Sequence, residues 1–136
     1  MLNFGLIGVV EDTPPFDGGM FVNGGFENGI AGWLQSSDWT ATVGADSAEN
    51  PSTGTNQVLF QNFTFEAGVS YEISANQLAG DVVANFMVND GDSGVNITAG
   101  VHTFVGDGTP RSTGIFLVGT GTTTFIVDSL RLVRVP

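Results

Sequence analysis

The stretch VVANFMVNDG at residues 82–91 decides the fold, because it alternates two kinds of side chain and then stops at a turn. One face of the alternation is apolar and the other is half polar: Val82, Ala84, Phe86 and Val88 on the first, Val83, Asn85, Met87 and Asn89 on the second. A period of two over eight residues is typical of a β-strand with one face in a core, and Asn-Asp-Gly is a typical hairpin turn. We therefore predict a strand here whose second face could line a groove.

The same alternation recurs on both sides of this stretch. Residues 70–75 place Tyr71, Ile73 and Ala75 on one face and three polar residues on the other. Further strands are predicted, with Gly, Asn, Asp and Ser between them, at 20–23, 39–43, 56–60, 62–65, 101–105, 112–118 and 122–135. Nine or so short strands joined by turns predict an all-β fold, a two-sheet antiparallel β-sandwich of the jelly-roll type.

Length and charge exclude several classes of protein. The 136 residues are enough for one domain with a real core. Cysteine is absent, which rules out disulfides and thiolate sites. Three Arg, no Lys and fourteen acidic residues give a net charge of −11, which opposes binding to nucleic acid or to an anionic membrane. We expect neither of them as a partner.

Residues 1–19 differ from the rest and predict an extended N-terminal arm ahead of a folded body at 20–136. The arm begins with an apolar run and ends in two prolines and two glycines, which interrupt regular structure. It lacks the basic region and cleavage site of a signal peptide, and the run is too short to span a bilayer. Its apolar side chains should be buried, either on a partner or as a first strand of the domain's own sheet: Leu2, Phe4, Leu6 and Ile7.

Three motifs are more specific: VNGGFENGIAGW at residues 22–33, FEAGVSYEIS at 65–74 and TFIVDSLRL at 124–132. In this order they resemble the jelly-roll carbohydrate-binding modules grouped as families 4, 9 and 22, over residues 20–135. The residues of the first motif have structural roles, since Gly24 and Gly25 permit a tight bend while Phe26 and Trp33 fill the core. The resemblance implies the same β-sandwich.

The resemblance also implies ligands. In such modules the Glu after Gly-Gly-Phe and the Asp of the last strand help to hold a structural Ca²⁺, and these correspond to Glu27 and Asp128; alternatively, Asp128 only accepts backbone hydrogen bonds. Sugar binding in this fold uses aromatic planes helped by amide and carboxylate hydrogen bonds. The candidates for a carbohydrate-binding site are Trp39, Tyr71, Asn85, Met87 and Asn89. The segment 82–114 departs from the family, because it carries no Trp.

No reaction centre stands out. His102 is the only histidine, which excludes a multi-histidine zinc site, and no nucleophile motif accompanies it. The acidic residues lie mostly in turn-like contexts such as NDGDSG at 89–94, rather than in the pair that a glycosidase requires. We therefore predict that the protein is not an enzyme and that it needs no cofactor beyond the implied Ca²⁺.

Two functions fit these features. The favoured hypothesis is a structural protein of a bacteriophage virion, a decoration, cement or fibre component, self-associating and attached to capsid proteins through its arm and sandwich surface. The alternative is an extracellular carbohydrate-binding module that recognises polysaccharide through exposed aromatic residues.

Overall fold

The computed structural model describes residues 16–36 and 38–136. Within them the chain forms short strands and a single 3₁₀ turn, Ile97–Ala99, and it contains no α-helix. The strands are β1 (Leu34–Gln35), β2 (Ala48–Asn50), β3 (Gln57–Thr64), β4 (Ser70–Ala79), β5 (Val83–Val88), β6 (Gly91–Asn96), β7 (His102–Val105), β8 (Pro110–Val118) and β9 (Phe125–Arg134).

The strands build two sheets. One is five-stranded with the order β1-β3-β8-β5-β6, and the other is four-stranded with the order β2-β9-β4-β7. Every pairing between these strands is antiparallel. Buried side chains of both sheets form one core, as two packed sheets require. The predicted all-β jelly-roll sandwich is therefore confirmed.

The core is unusually rich in aromatic rings. Phe26, Phe65, Phe86 and Phe125 are fully buried. Several rings contact one another in series: the Phe65 centroid lies 4.6 Å from Tyr71 and 5.0 Å from Phe104. Each buried Phe side chain contributes about 2 kcal/mol by its removal from water, so these rings are a main source of stability in a small domain.

The motif at residues 22–33 closes one edge of the sandwich. Asn23 lies near its start with a φ of 57°, and its side-chain Nδ2 donates to the carbonyl oxygens of Gly29 and Ala31, each at 2.9 Å. The backbone at Gly24 approaches β9 closely, since a Cβ there would lie 2.3 Å from the Leu130 oxygen. The predicted tight bend and the buried Trp33 are both present.

Most strand predictions hold, with three corrections. Residues 20–23 form turns rather than a strand, because Asn23 adopts the left-handed conformation. The predicted strand at 39–43 is reduced to a single bridge between Thr40 and Glu49. The predicted strands at 56–60 and 62–65 are one continuous strand, β3, since no turn residue separates them.

The turn predicted at 89–91 joins β5 to β6. Asn89 and Asp90 both have positive φ, 52° and 69°, which is typical of a type I′ hairpin. Asp90 is further fixed by β8, because its carboxylate accepts hydrogen bonds from Ser112 N and from the Arg111 side chain. The hairpin thus holds β6 at the edge of the five-stranded sheet.

The predicted arm side chains Leu2, Phe4, Leu6 and Ile7 lie outside the described residues. The end of the predicted arm and the first residue of the body pair with β9, since Leu132 N donates to Gly18 O at 3.0 Å and Met20 N donates to Leu132 O at 2.7 Å. Over 16–36 and 38–136, no helix has the length and apolar character needed to cross a membrane.

Candidate functional site

The outer face of the five-stranded sheet differs from an ordinary solvated sheet surface. In β3, Leu59 and Gln61 point into the sandwich, so Val58 and Phe60 point outward. In β8, Ile115 and Leu117 are buried in the core, and Phe116 points outward between them. Aromatic side chains therefore stand on the outside of the two central strands.

Strand register assembles the face in two rows. The first row runs across all five strands as Leu34, Phe60, Gly114, Met87 and Asp92. The second row runs across four strands as Val58, Phe116, Asn85 and Asn96. We call these nine residues the sheet face; five strands at the usual spacing span about 19 Å.

Phe60 and Phe116 form the aromatic part of the sheet face. They sit diagonally on neighbouring strands, on the same outer face of the sheet. Both are partly exposed, and neither belongs to the core cluster or to the side chains packed against it. Among the described residues, neither contacts another aromatic ring, whereas most other rings pair in the core. Their outer sides are therefore open to a ligand.

Gly114 keeps the two central strands close beneath these rings. A Cβ at this position would lie 2.0 Å from the Leu59 carbonyl oxygen and 2.8 Å from the Phe60 Cα. Only a residue without a side chain fits this approach of β3 to β8. Gly114 thus fixes the part of β3 that carries Phe60.

The polar part of the sheet face lies on β5 and β6. Asn85 is only 8% exposed, and its Nδ2 donates to Asp92 Oδ1 at 2.8 Å. The same Asp92 oxygen accepts a hydrogen bond from Gly94 N at 2.8 Å. Asn96 accepts hydrogen bonds from Thr98 N and Oγ1 and so caps the 3₁₀ turn. These contacts hold the three polar side chains in defined orientations.

The predicted carbohydrate-binding residues divide into two groups. Asn85 and Met87 lie together on the sheet face, next to Phe116 and Gly114, while Asn89 lies in the hairpin turn beyond the end of β5. Trp39 is 3% exposed and packs edge-on against Phe125 at 5.8 Å. The structure thus places Trp39 in the core, where its ring presents no surface for a sugar.

Tyr71 is also placed in the core rather than on a surface. It is 4% exposed, its ring contacts Phe65 and Phe104, and its hydroxyl oxygen accepts a hydrogen bond from Glu66 N at 2.9 Å. The hydroxyl therefore fixes the turn before β4. The aromatic residues of the sheet face, Phe60 and Phe116, were not predicted from the sequence.

The residues of the implied calcium site accept hydrogen bonds from the protein itself. Glu27 Oε2 accepts from Phe16 N at 2.7 Å, and Asp128 Oδ1 accepts from the Asn76 side chain at 2.9 Å. Over 16–36 and 38–136, no group of three or more acidic or histidine side chains is arranged to hold a metal. Calcium requires six to eight oxygen ligands, and these two carboxylates would supply only part of that set. The Ca²⁺ assignment stays a prediction, and the binding face does not depend on it.

The ion pairs of the described chain lie away from the aromatic part of the sheet face. Arg111 is paired with Asp90 and Asp107, and these hydrogen bonds hold the pKa of Asp107 well below its ordinary value. Hydrogen bonds from Ser112 and Arg111 likewise lower the pKa of Asp90. Arg134, in β9 of the four-stranded sheet, is paired with Glu66. The charge of Arg111 is therefore already matched by two carboxylates.

One surface depression lies beside β2. It has a volume of about 380 Å³ and is lined by Asp38, Thr40, Glu49, Pro51 and Thr124. It is open and carries two acidic side chains with no aromatic ring. Its lining shares no residue with the sheet face.

The architecture is that of a carbohydrate-binding-module-like β-sandwich. No family-level sequence profile matches the chain, and no curated protein does so either. Among solved structures, the chain is similar to one described as "CBM4 structure and function", with a TM-score of 0.52 and 16% identity over 85% of this chain and 99% of that chain. At this identity the likeness shows the fold. None of these comparisons concerns a virion, so attachment to a phage particle and self-association stay predictions.

Proposed function

We propose that the protein is a non-catalytic carbohydrate-binding domain that holds a polysaccharide on the sheet face. The observation that carries the proposal is the pair Phe60 and Phe116, two partly exposed rings outside the core, bordered by Asn85, Asp92 and Asn96. Apolar rings beside fixed amide and carboxylate groups are the surface that a pyranose ring requires.

Each part of the sheet face has a role in this proposal. The apolar faces of successive sugar rings would stack on Phe60 and Phe116, and Met87 would fill the floor between the strands. The hydroxyl groups at the sugar edges would bond to the amide and carboxylate groups of β5 and β6. Because these groups are held by hydrogen bonds to one another, little side-chain entropy would be lost when a ligand binds.

The absence of catalysis is part of the proposal. Hydrolysis of a glycosidic bond normally uses two carboxyl groups, one as acid and the other as nucleophile or base. The sheet face offers one carboxylate, Asp92, since the remaining members are apolar side chains, a glycine and two amides. A ligand on this face would therefore be bound and released unchanged.

The test is binding to a panel of soluble neutral polysaccharides by affinity gel electrophoresis, followed by calorimetry for any polymer that retards the protein. Phe60→Ala and Phe116→Ala should each lower the affinity about tenfold, which corresponds to about 1.4 kcal/mol. Phe16→Ala is the matched control, because Phe16 is an exposed Phe outside the sheet face. Far-ultraviolet circular dichroism would verify that each variant is folded.

Two results would contradict the proposal. One is that the unmodified protein binds no member of the panel. The other is that the double variant of Phe60 and Phe116 binds as tightly as the unmodified protein, which would move the site elsewhere on the molecule. An equal loss in Phe16→Ala would have the same meaning, because it would remove the link to the sheet face.

A further inference from the structure

The sheet face carries one negative charge and no positive charge. Asp92 is its only ionisable residue. The chain contains no Lys, and its three Arg lie elsewhere: Arg111 is paired with two carboxylates, while Arg131 and Arg134 belong to β9 of the other sheet. No cation is therefore placed to receive an anionic ligand on this face.

Asn85 and Asp92 each present an unpaired acceptor oxygen beside the aromatic part of the sheet face. One N–H of Asn85 donates to Asp92, and within the described residues the Asn85 Oδ1 makes no hydrogen bond. This oxygen is not among the fully buried polar atoms that lack a partner, so it keeps some exposure at the surface. The second carboxylate oxygen of Asp92 has no partner within the described residues either, because both of its hydrogen bonds go to Oδ1.

We infer that the sheet face selects uncharged glycans rich in hydroxyl groups, and that Asp92 is the residue that excludes acidic ones. The inference rests on the proposed function and names the class of ligand for the same site. A sugar hydroxyl can donate to Asn85 Oδ1 and to Asp92 Oδ2. A uronate or sulfate group offers only acceptors, so it would leave both oxygens unpaired and would place a second negative charge against Asp92.

In this inference Asp92 repels an acidic group on the sheet face itself, and this distinguishes Asp92 from the other acidic residues. Its carboxylate is directed by Asn85 and Gly94 N, at the end of a row that contains Phe60. Thirteen further acidic residues contribute to the net charge of −11, but they repel an anion from a distance and are screened by salt. The variants described next distinguish these two effects.

The experiment compares neutral polymers with their acidic derivatives. Hydroxyethylcellulose, glucomannan and galactan are each measured beside the same polymer after oxidation of part of its primary hydroxyl groups to carboxylates. The unmodified protein should bind the oxidised form at least tenfold more weakly in 10 mM salt. Asp92→Asn should reduce this ratio to below threefold, because the amide keeps the oxygen that Asn85 and Gly94 use and removes the charge.

Asp46→Asn is the matched control. It changes the net charge by the same amount, and Asp46 is exposed in a loop with a φ of 58°, a conformation that Asn adopts equally well. This variant should leave the tenfold ratio unchanged. An equal effect of both substitutions would overturn the assignment to Asp92, since net charge would then explain the selectivity.

The remaining outcomes are also distinct. If the unmodified protein binds neutral and oxidised polymers equally, the inference is wrong while the proposed function stands. If it binds a neutral polymer but Asp92→Asn still rejects the oxidised form tenfold, Asp92 is not the residue responsible. If it binds none of the three polymers or the wider neutral panel, the proposed function itself fails.

Discussion

Trp33 Nε1 donates a hydrogen bond to the backbone oxygen of Asn23 at 2.9 Å, and this contact ties together the two ends of the turn motif at the sandwich edge. The Asn23 side chain makes three more hydrogen bonds: its Nδ2 donates to Gly29 O and Ala31 O, and its Oδ1 accepts from Asn28 N. Since its φ is 57°, the position also favours Asn or Gly over other residues.

Replacement of Asn23 should therefore destabilise the fold through two separable effects. Asn23→Ala loses the side-chain hydrogen bonds and strains the backbone, and we expect a loss of about 3 to 4 kcal/mol in the free energy of unfolding. Asn23→Gly loses the same hydrogen bonds without the steric strain and should be about 1 kcal/mol less destabilised than the alanine variant. Urea unfolding measures both; equal stability of the two variants would contradict a role for the positive φ.

The stability of the folded protein should depend on pH through Asp81. Hydrogen bonds from the side chain and backbone of Thr122, and from Thr123 N, lower the pKa of Asp81 from 3.8 to about 2. A depressed carboxyl pKa contributes stability above the unfolded value, and this contribution is lost as the pH falls from about 4 through about 2. The melting temperature should therefore fall over this window, and less so in Asp81→Asn.

The control for this measurement is Asp46→Asn, because no hydrogen bond holds the Asp46 side chain within the described residues. Its acid transition should match that of the unmodified protein. Asp90 and Asp107 also have lowered pKa values, so part of the loss of stability at acid pH will remain in Asp81→Asn. An Asp81→Asn profile superimposable on the unmodified one would show that the Thr122 contact does not persist in solution.

The close approach of β3 and β8 at Gly114 leaves no room for a side chain in the middle of the sheet face. Gly114→Ala places a Cβ against the backbone of β3, 2.0 Å from Leu59 O, and backbone cannot give way as a flexible side chain would. We expect a loss of about 2 to 4 kcal/mol in the free energy of unfolding. Gly91→Ala is the control, because a Cβ there meets nothing within 4 Å and its φ is not positive. Equal stability of both variants would refute the close approach of β3 and β8.

The architecture was largely predictable because its strands alternate in the simplest way. In and just before β5, Val82, Ala84 and Phe86 are buried as the period of two requires, and the Asn89 and Asp90 turn has the conformation that its sequence favours. Strand β6 was not predicted, because residues 89–94 resemble a turn, and neither were the short strands β1 and β2. They consist of two and three residues, and their pairing depends on β3 and β9 rather than on a local pattern.

The candidate site was less predictable, since both faces of β3 carry apolar residues. Leu59 and Phe60 are consecutive, and the sequence alone does not say which of them faces the core. Gln57 and Gln61 would conventionally point outward, yet both are buried, and the Gln61 amide bonds to the backbone of Val22 instead. Gln57, Leu59 and Gln61 share the inward face of β3, so Phe60 points outward, and the Gln61 contact joins residues 39 apart in the sequence.

Tryptophan fluorescence distinguishes most directly between ligand binding on the sheet face and ligand binding at a site lined by Trp. Trp33 and Trp39 are both buried, and Trp39 Nε1 makes no hydrogen bond within the described residues. Binding of a polysaccharide to the sheet face should therefore leave the position and intensity of tryptophan emission unchanged, even at saturation verified by calorimetry. Trp39→Phe should retain full affinity, because the variant removes an unpaired buried N–H and no surface contact. Ligand-dependent quenching in the unmodified protein that disappears in Trp39→Phe would instead assign the sugar to a site around Trp39.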